Sequence, residues 1–155
     1  MEHAKFKKEA RRHQVGFREQ KINVLNNKYP TWLTDDDAMN GKNFYCGFEI
    51  FENVKDRYKI KFEKPLRGDI INKCSDMLRS EHIPFNLFIP LKKDPIFRKQ
   101  VYNEILGNIE SIDTIEIEYA PPHKALYLDD RTSFDTYIEY THSDHSKGVI
   151  GIEVK

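Results

Sequence analysis

Residues 132–155, T-S-F-D-T-Y-I-E-Y-T-H-S-D-H-S-K-G-V-I-G-I-E-V-K, decide the fold of this chain. Two runs alternate with a period of two and flank a polar, glycine-ended stretch, which is the pattern of a β-hairpin. In the first run Phe134, Thr136, Ile138 and Tyr140 share one face, and Asp135, Tyr137 and Glu139 share the other. In the second, Ile150, Ile152 and Val154 share one face, and Gly151, Glu153 and Lys155 the other. Successive strand side chains point to opposite faces, so Glu153 and Lys155 are neighbours on one side. A turn centred on Asp144 sets Asp135 opposite Glu153, because the two are equally far from it in sequence. Directly opposed residues have Cβ atoms about 5 Å apart.

Two carboxylates so placed repel, and like charges directly opposite destabilise a sheet. A positive group belongs between them. Lys155 offsets part of the charge, and a hard divalent cation such as Mg²⁺, which takes one or two carboxylates plus waters and phosphate oxygens, offsets more. Such a cation polarises phosphoryl oxygens and activates water, and a lysine beside it stabilises developing charge. Gly151, with no side chain, is expected to leave room on this face for a substrate backbone. Alone, however, E-x-K is the ordinary signature of a solvated strand face with a cross-strand ion pair, so the triad needs independent support.

Composition narrows the classes. The chain has 155 residues, the length of one domain. Charged residues make up 32%, and mean hydropathy is −0.71. Lys+Arg and Asp+Glu are 25 each, so net charge does not advertise nucleic acid. The distribution is uneven. Residues 1–21 hold Lys5, Lys7, Lys8, Arg11, Arg12, Arg18 and Lys21 against three glutamates, and residues 126–155 hold six acids against three bases. A basic arm beside an acidic pocket suits a metal site that works on a polyanion. Cys46 and Cys74 have neither C-x-x-C nor zinc-type spacing and read as reduced thiols of a cytoplasmic protein. No apolar leader or 18-residue apolar run occurs, so neither secretion nor a membrane is expected.

Upstream of the hairpin, residues 2–26 read as a basic helix with Phe6, Ala10 and Phe17 on a ragged apolar stripe and Gly16 as a possible break. Thr34 is an N-cap for Asp35-Asp36-Asp37, so these acids serve a helix start rather than a metal loop, and Asn40-Gly41 ends that helix. Residues 47–61 lean to helix, and 69–80 carry helical spacing. Residues 83–91, bounded by Pro84 and Pro90, read as a compact apolar connector. Asp94-Pro95 opens a helix that carries Ile96, Phe97, Val101, Ile105 and Leu106 inward and stops at Gly107-Asn108. Residues 112–119 alternate strictly, as a strand. His142 and His145, three apart in a turn, are too few for zinc.

This order, with an aspartate and then E-x-K on consecutive strands, resembles the PD-(D/E)XK nuclease superfamily, whose core runs α-β-β-β-α-β. Four stretches in order, W-L-T-D-D-D-A-M-N-G-K-N-F (32–44), S-E-H-I-P-F-N-L-F-I-P-L (80–91), D-D-R-T-S-F-D-T-Y-I-E-Y (129–140) and G-V-I-G-I-E-V-K (148–155), look like a family of bacterial restriction-endonuclease-like proteins within it. The resemblance covers nearly the whole chain and is far more specific than E-x-K alone. It implies an α/β (α+β) fold: a restriction-endonuclease-like core with N-terminal helices packed on a short mixed β-sheet. One domain is expected over 1–155, with 1–92 a helical part and 93–155 a helix plus three catalytic strands.

It also implies roles. Asp135, Glu153 and Lys155 would be the catalytic residues, with Asp135 and Glu153 holding Mg²⁺ or Mn²⁺. A glutamate from the helix before the first strand often joins the set, and Glu104 and Glu110 are the candidates. Asp130 and Arg131 match the family's D-R pair as accessory residues. The implied activity is metal-dependent endonucleolytic cleavage of DNA in restriction or defence. Because the sequence stops at Lys155, on the strand bearing the site, the core is expected to be C-terminally incomplete. A homodimer or partner chain would then complete the sheet. The rival expectation is a truncated, inactive nuclease-like domain that binds nucleic acid or protein.

Overall fold

The computed structural model describes residues 2–59, 68–120 and 133–154. The chain divides into two compact units, Met1–His82 and Ile83–Lys155.

The first unit begins with α1 (Glu2–Phe17), which runs past Gly16 and loosens into a π-helical segment, Arg18–Ile22. Asn23, with φ of 54°, ends it in the left-handed region that asparagine tolerates. The Arg18 guanidinium is buried there, donating to the Val24 carbonyl at 2.8 Å and pairing with Glu19. Helix α2 (Asp35–Met39) starts as its sequence predicts: the Thr34 hydroxyl accepts the Asp37 N–H at 3.2 Å, and Lys42 pairs with Asp37 at 2.7 Å. Helix α3 (Ile50–Tyr58) falls inside the expected 47–61. Helix α4 (Asp69–Ser75) stops short of the predicted Ser80. Asp76 is extended, bridges Trp32, and accepts the Leu78 N–H on its own carboxylate. That local bond competes with the next helical turn. Leu33, Ala38, Cys74 and Met77 form the core of this unit, with Ile22, Val24, Phe51, Ile70 and Ile71 against them.

The second unit is two helices on a three-stranded sheet. Residues 83–91 are not a connector but most of α5 (His82–Lys93). Pro84 sits in the first turn, where no N–H partner is required, and Pro90 in the last turns removes a single i→i−4 bond. Helix α6 (Pro95–Leu106) starts at Asp94, whose Oδ1 accepts the N–H groups of Ile96 and Phe97 at 3.1 and 3.0 Å. The inward face of α6 differs from the expected one. Tyr102 is buried with Val101 and Leu106 beside it, while Ile96, Phe97 and Ile105 are exposed.

Strands β1 (Ile109–Tyr119), β2 (Phe134–His142) and β3 (Lys147–Ile152) pair in the order β1-β2-β3. Both pairings are antiparallel, where a mixed sheet was expected. Two bulges in β1 leave Glu110 and Asp113 without cross-strand partners. A bulge resets the alternation by one residue. Ile109, Ile112 and Ile115, three apart, therefore all enter one core with Leu91, Tyr102 and Ile138. The architecture is α+β, with six helices and this sheet among the described residues.

Candidate active site

The β2–β3 register places the candidate residues. Thr136 pairs with Ile152, Tyr137 with Gly151, Ile138 with Ile150 and Tyr140 with Gly148. These pairs are all centred on Asp144, as the sequence predicts. The turn is built by that residue: Asp144 Oδ1 accepts the Ser146 N–H at 2.9 Å and the Ser146 hydroxyl at 2.6 Å, and His145 takes a φ of 65°. These bonds hold the Asp144 carboxyl below the usual carboxylate range.

Asp135 and Glu153 are the residues that follow the last ladder pair. Asp135 is half-buried, and its Oδ2 accepts the Val154 N–H at 2.6 Å. The aspartate is therefore tied to the backbone directly after Glu153, which is itself exposed. Alternation sends Thr136 and Ile138 into the helix-covered core and leaves Asp135, Tyr137 and Glu139 on the other face. There the Tyr137 hydroxyl donates to Glu139 Oε1 at 2.9 Å, and the Thr114 hydroxyl to Oε2 at 3.3 Å.

The other candidates distribute differently. Lys155, Asp130 and Arg131 lie outside the described residues. Glu104 is exposed on α6, the helix that covers the opposite side of the sheet. Glu110 is at the hairpin-turn end of β1, 3.0 Å from His145 Nδ1, while Asp135 is at the other end of β2. Strand rise of about 3.3 Å per residue separates those ends by roughly 20 Å. His142 packs edge-on against Tyr140, their ring centroids 5.0 Å apart. Among the described residues no three His, Cys, Asp or Glu converge. Cys74 is buried, and burial pushes its thiol up to about 11.

Three features were not anticipated. The room expected over Gly151 is filled by the Phe134 ring, and the Tyr140 ring likewise lies against Gly148. Tyr119 stacks on Tyr137 at 4.2 Å, because Glu118 takes a φ of 55° and breaks the alternation of β1. The bulged Asp113 gathers Lys147 at 2.9 Å, the Thr141 hydroxyl at 2.7 Å and the Ser111 hydroxyl at 2.5 Å, which together hold its carboxyl far below the ordinary range. That network joins all three strands at the turn end. Its sequence signal was weak, because only the bulge brings Asp113 round to Thr141 and Lys147.

Against this geometry, a family model described as the PD-(D/E)XK nuclease superfamily matches residues 2–155. No curated protein and no solved structure gives a match.

Proposed function

Because the chain belongs to the PD-(D/E)XK nuclease superfamily, we propose that it hydrolyses phosphodiester bonds in DNA with a divalent cation held by Asp135 and Glu153. The observation that carries this reading is the Asp135–Val154 hydrogen bond, which ties the aspartate to the strand end bearing E-x-K. The donor set fits the cation. Two carboxylates suit Mg²⁺ or Mn²⁺, which keep waters and phosphate oxygens in the remaining positions. When bound, the cation supplies Lewis acidity at the phosphoryl group and a more acidic water.

The protein's own residues divide the remaining tasks. Asp135 gives one oxygen to the Val154 amide and keeps the other for binding, so its carboxylate is oriented before substrate arrives. Glu153 is exposed and directly follows the ladder pair that Asp135 precedes. Lys155, two positions on from Glu153 in the E-x-K sequence, would supply an ammonium to offset the negative charge that builds on the phosphoryl oxygens. Asp130 and Arg131 stay accessory candidates on the sequence pattern alone. A restriction or defence role follows from the family's likeness to restriction endonucleases.

The test is cleavage of supercoiled plasmid with Mg²⁺ or Mn²⁺, with and without EDTA, by the protein and its Glu153→Gln and Lys155→Ala variants. Nicking or linearisation is expected only with the cation, falling 100-fold or more in either variant, as for loss of one electrostatic group. Equal cleavage by Lys155→Ala would sink the assignment. A second reading draws on β3, which among the described residues lies at the sheet edge, with Val149 exposed. An edge strand can pair with another chain, so a non-catalytic, nuclease-like binding module predicts association without cleavage under every divalent ion.

A further inference from the structure

The candidate site has an electrostatic difficulty. Asp135, Glu139 and Glu153 stand on one side of the sheet, with Glu116 nearby and Lys92 3.4 Å from it. Such a surface repels a phosphate chain, and one cation does not reverse that. The protein has no net charge, so attraction for a polyanion must come from a local cluster.

Helix α1 carries such a cluster. Lys5, Lys7, Lys8, Arg11 and Arg12 are all exposed, and none has an ion pair among the described residues. At about 100° per residue the five fall on an arc of roughly 160°. Phe6, Ala10, His13 and Phe17 occupy the opposite arc. Arg18, by contrast, is buried and already engaged, and so is not part of the basic face. Among the described residues, the main contact of α1 with another element is with its π-helical continuation.

Resting on the nuclease reading above, we infer that the basic face of α1 docks the phosphate backbone of double-stranded DNA. B-DNA carries one negative charge per about 1.7 Å of axis, so a helix face of this length meets several phosphates at once. Contacts of this kind position a duplex without reading its sequence. A basic amphipathic helix can also lie on an anionic membrane, but that mode needs a broad apolar face. Here the apolar arc has only two large side chains, Phe6 and Phe17.

The experiment measures fluorescence anisotropy of a labelled 20-base-pair duplex in EDTA between 50 and 200 mM NaCl. It compares the protein with K5Q/K8Q/R12Q, glutamine being a good helix former. Circular dichroism checks that the helix persists. Each phosphate contact contributes about 0.9 to the slope of log K against log salt, so the triple variant is expected to lose about 2–3 of that slope and bind at least tenfold more weakly at 100 mM. An unchanged affinity and slope overturns the inference, as does binding of the protein to phosphatidylserine vesicles but not to duplex. Plasmid assays separate the two readings. Salt-dependent binding lost in the triple variant, with no cleavage by the parent protein, leaves the docking face standing and removes the hydrolase. Cleavage by the triple variant at an unchanged KM does the reverse.

Discussion

Thr136 sits on the sheet face opposite Asp135, fully buried, and its hydroxyl finds no partner among the described residues. A buried hydroxyl without a hydrogen bond carries a desolvation cost of about 1–3 kcal/mol. Thr136→Val keeps the shape and removes the hydroxyl. We expect it to raise stability by about 1 kcal/mol in urea unfolding, with the m-value unchanged; a loss would mean that the hydroxyl is satisfied. His82 makes the opposite case. It is only 4% exposed, packs against the Phe44 ring at 4.8 Å and bonds the Lys73 carbonyl at 2.7 Å. A carbonyl can only accept, so Nε2 carries the proton. Burial, opposed by the Lys73 carbonyl and Glu81, pushes the ring down to about 4. The folded state thus resists protonation while the unfolded chain accepts it near 6.5. Stability from this group is complete above pH 6.5 and declines as pH falls towards 4, by on the order of 3 kcal/mol. His82→Asn, costly in itself, is expected to flatten unfolding free energy between pH 7 and 4.5; an equally steep profile would assign the dependence elsewhere.

At the scale of elements, α6 depends on its first turn. Asp94 satisfies two N–H groups there, so Asp94→Ala should cost about 1 kcal/mol, with Asp94→Asn recovering most of it. Equal stability of all three proteins would rule out that cap. This start was legible because Asp-Pro has one meaning at a helix N-terminus. The hairpin register was legible for a similar reason: alternation and a polar turn admit one centre that keeps Ile138 and Ile150 inside. The bulges of β1 were not, since an extra residue needs no special side chain when Glu110 and Asp113 find partners outside the ladder. Helix α5 was misread because two prolines were weighed as breakers without asking which turn each occupied. The inward face of α6 was misjudged because Ile96, Phe97 and Ile105 are apolar, yet the small sheet has area only for the stripe around Tyr102. At the candidate site, sequence placed Asp135 beside the Glu153 strand end. It could not foresee that aromatic rings would roof Gly148 and Gly151, because rotamers depend on neighbours that alternation does not specify.

At the scale of the whole molecule, the protein separates its charges. The basic arc lies on α1 in the first unit and the carboxylates on the sheet of the second. A ligand that binds only folded protein stabilises it by mass action. A divalent cation at about ten times its Kd adds ~1.4 kcal/mol, a rise in Tm of roughly 4 °C for a chain of this size. That rise is expected with Mg²⁺ or Mn²⁺ and absent in Glu153→Gln; equal shifts in both proteins would place the ion elsewhere. Docking of DNA at α1 is expected to persist in the same variant, since the two surfaces share no residue.

The hairpin is fastened unevenly. Its closed end is stitched across three strands by Asp113, Thr141 and Lys147, whereas beyond Ile152 the described hold on the open end is one carboxylate on one amide. Fraying of β3 is therefore expected to begin at the Glu153 end, and an ion bound there as proposed would work against it. If the proposed ion binds there, fraying and ion affinity are two readings of a single equilibrium: loosening the Asp135–Val154 latch would weaken ion binding, and ion binding would slow deuterium uptake at the Val154 amide.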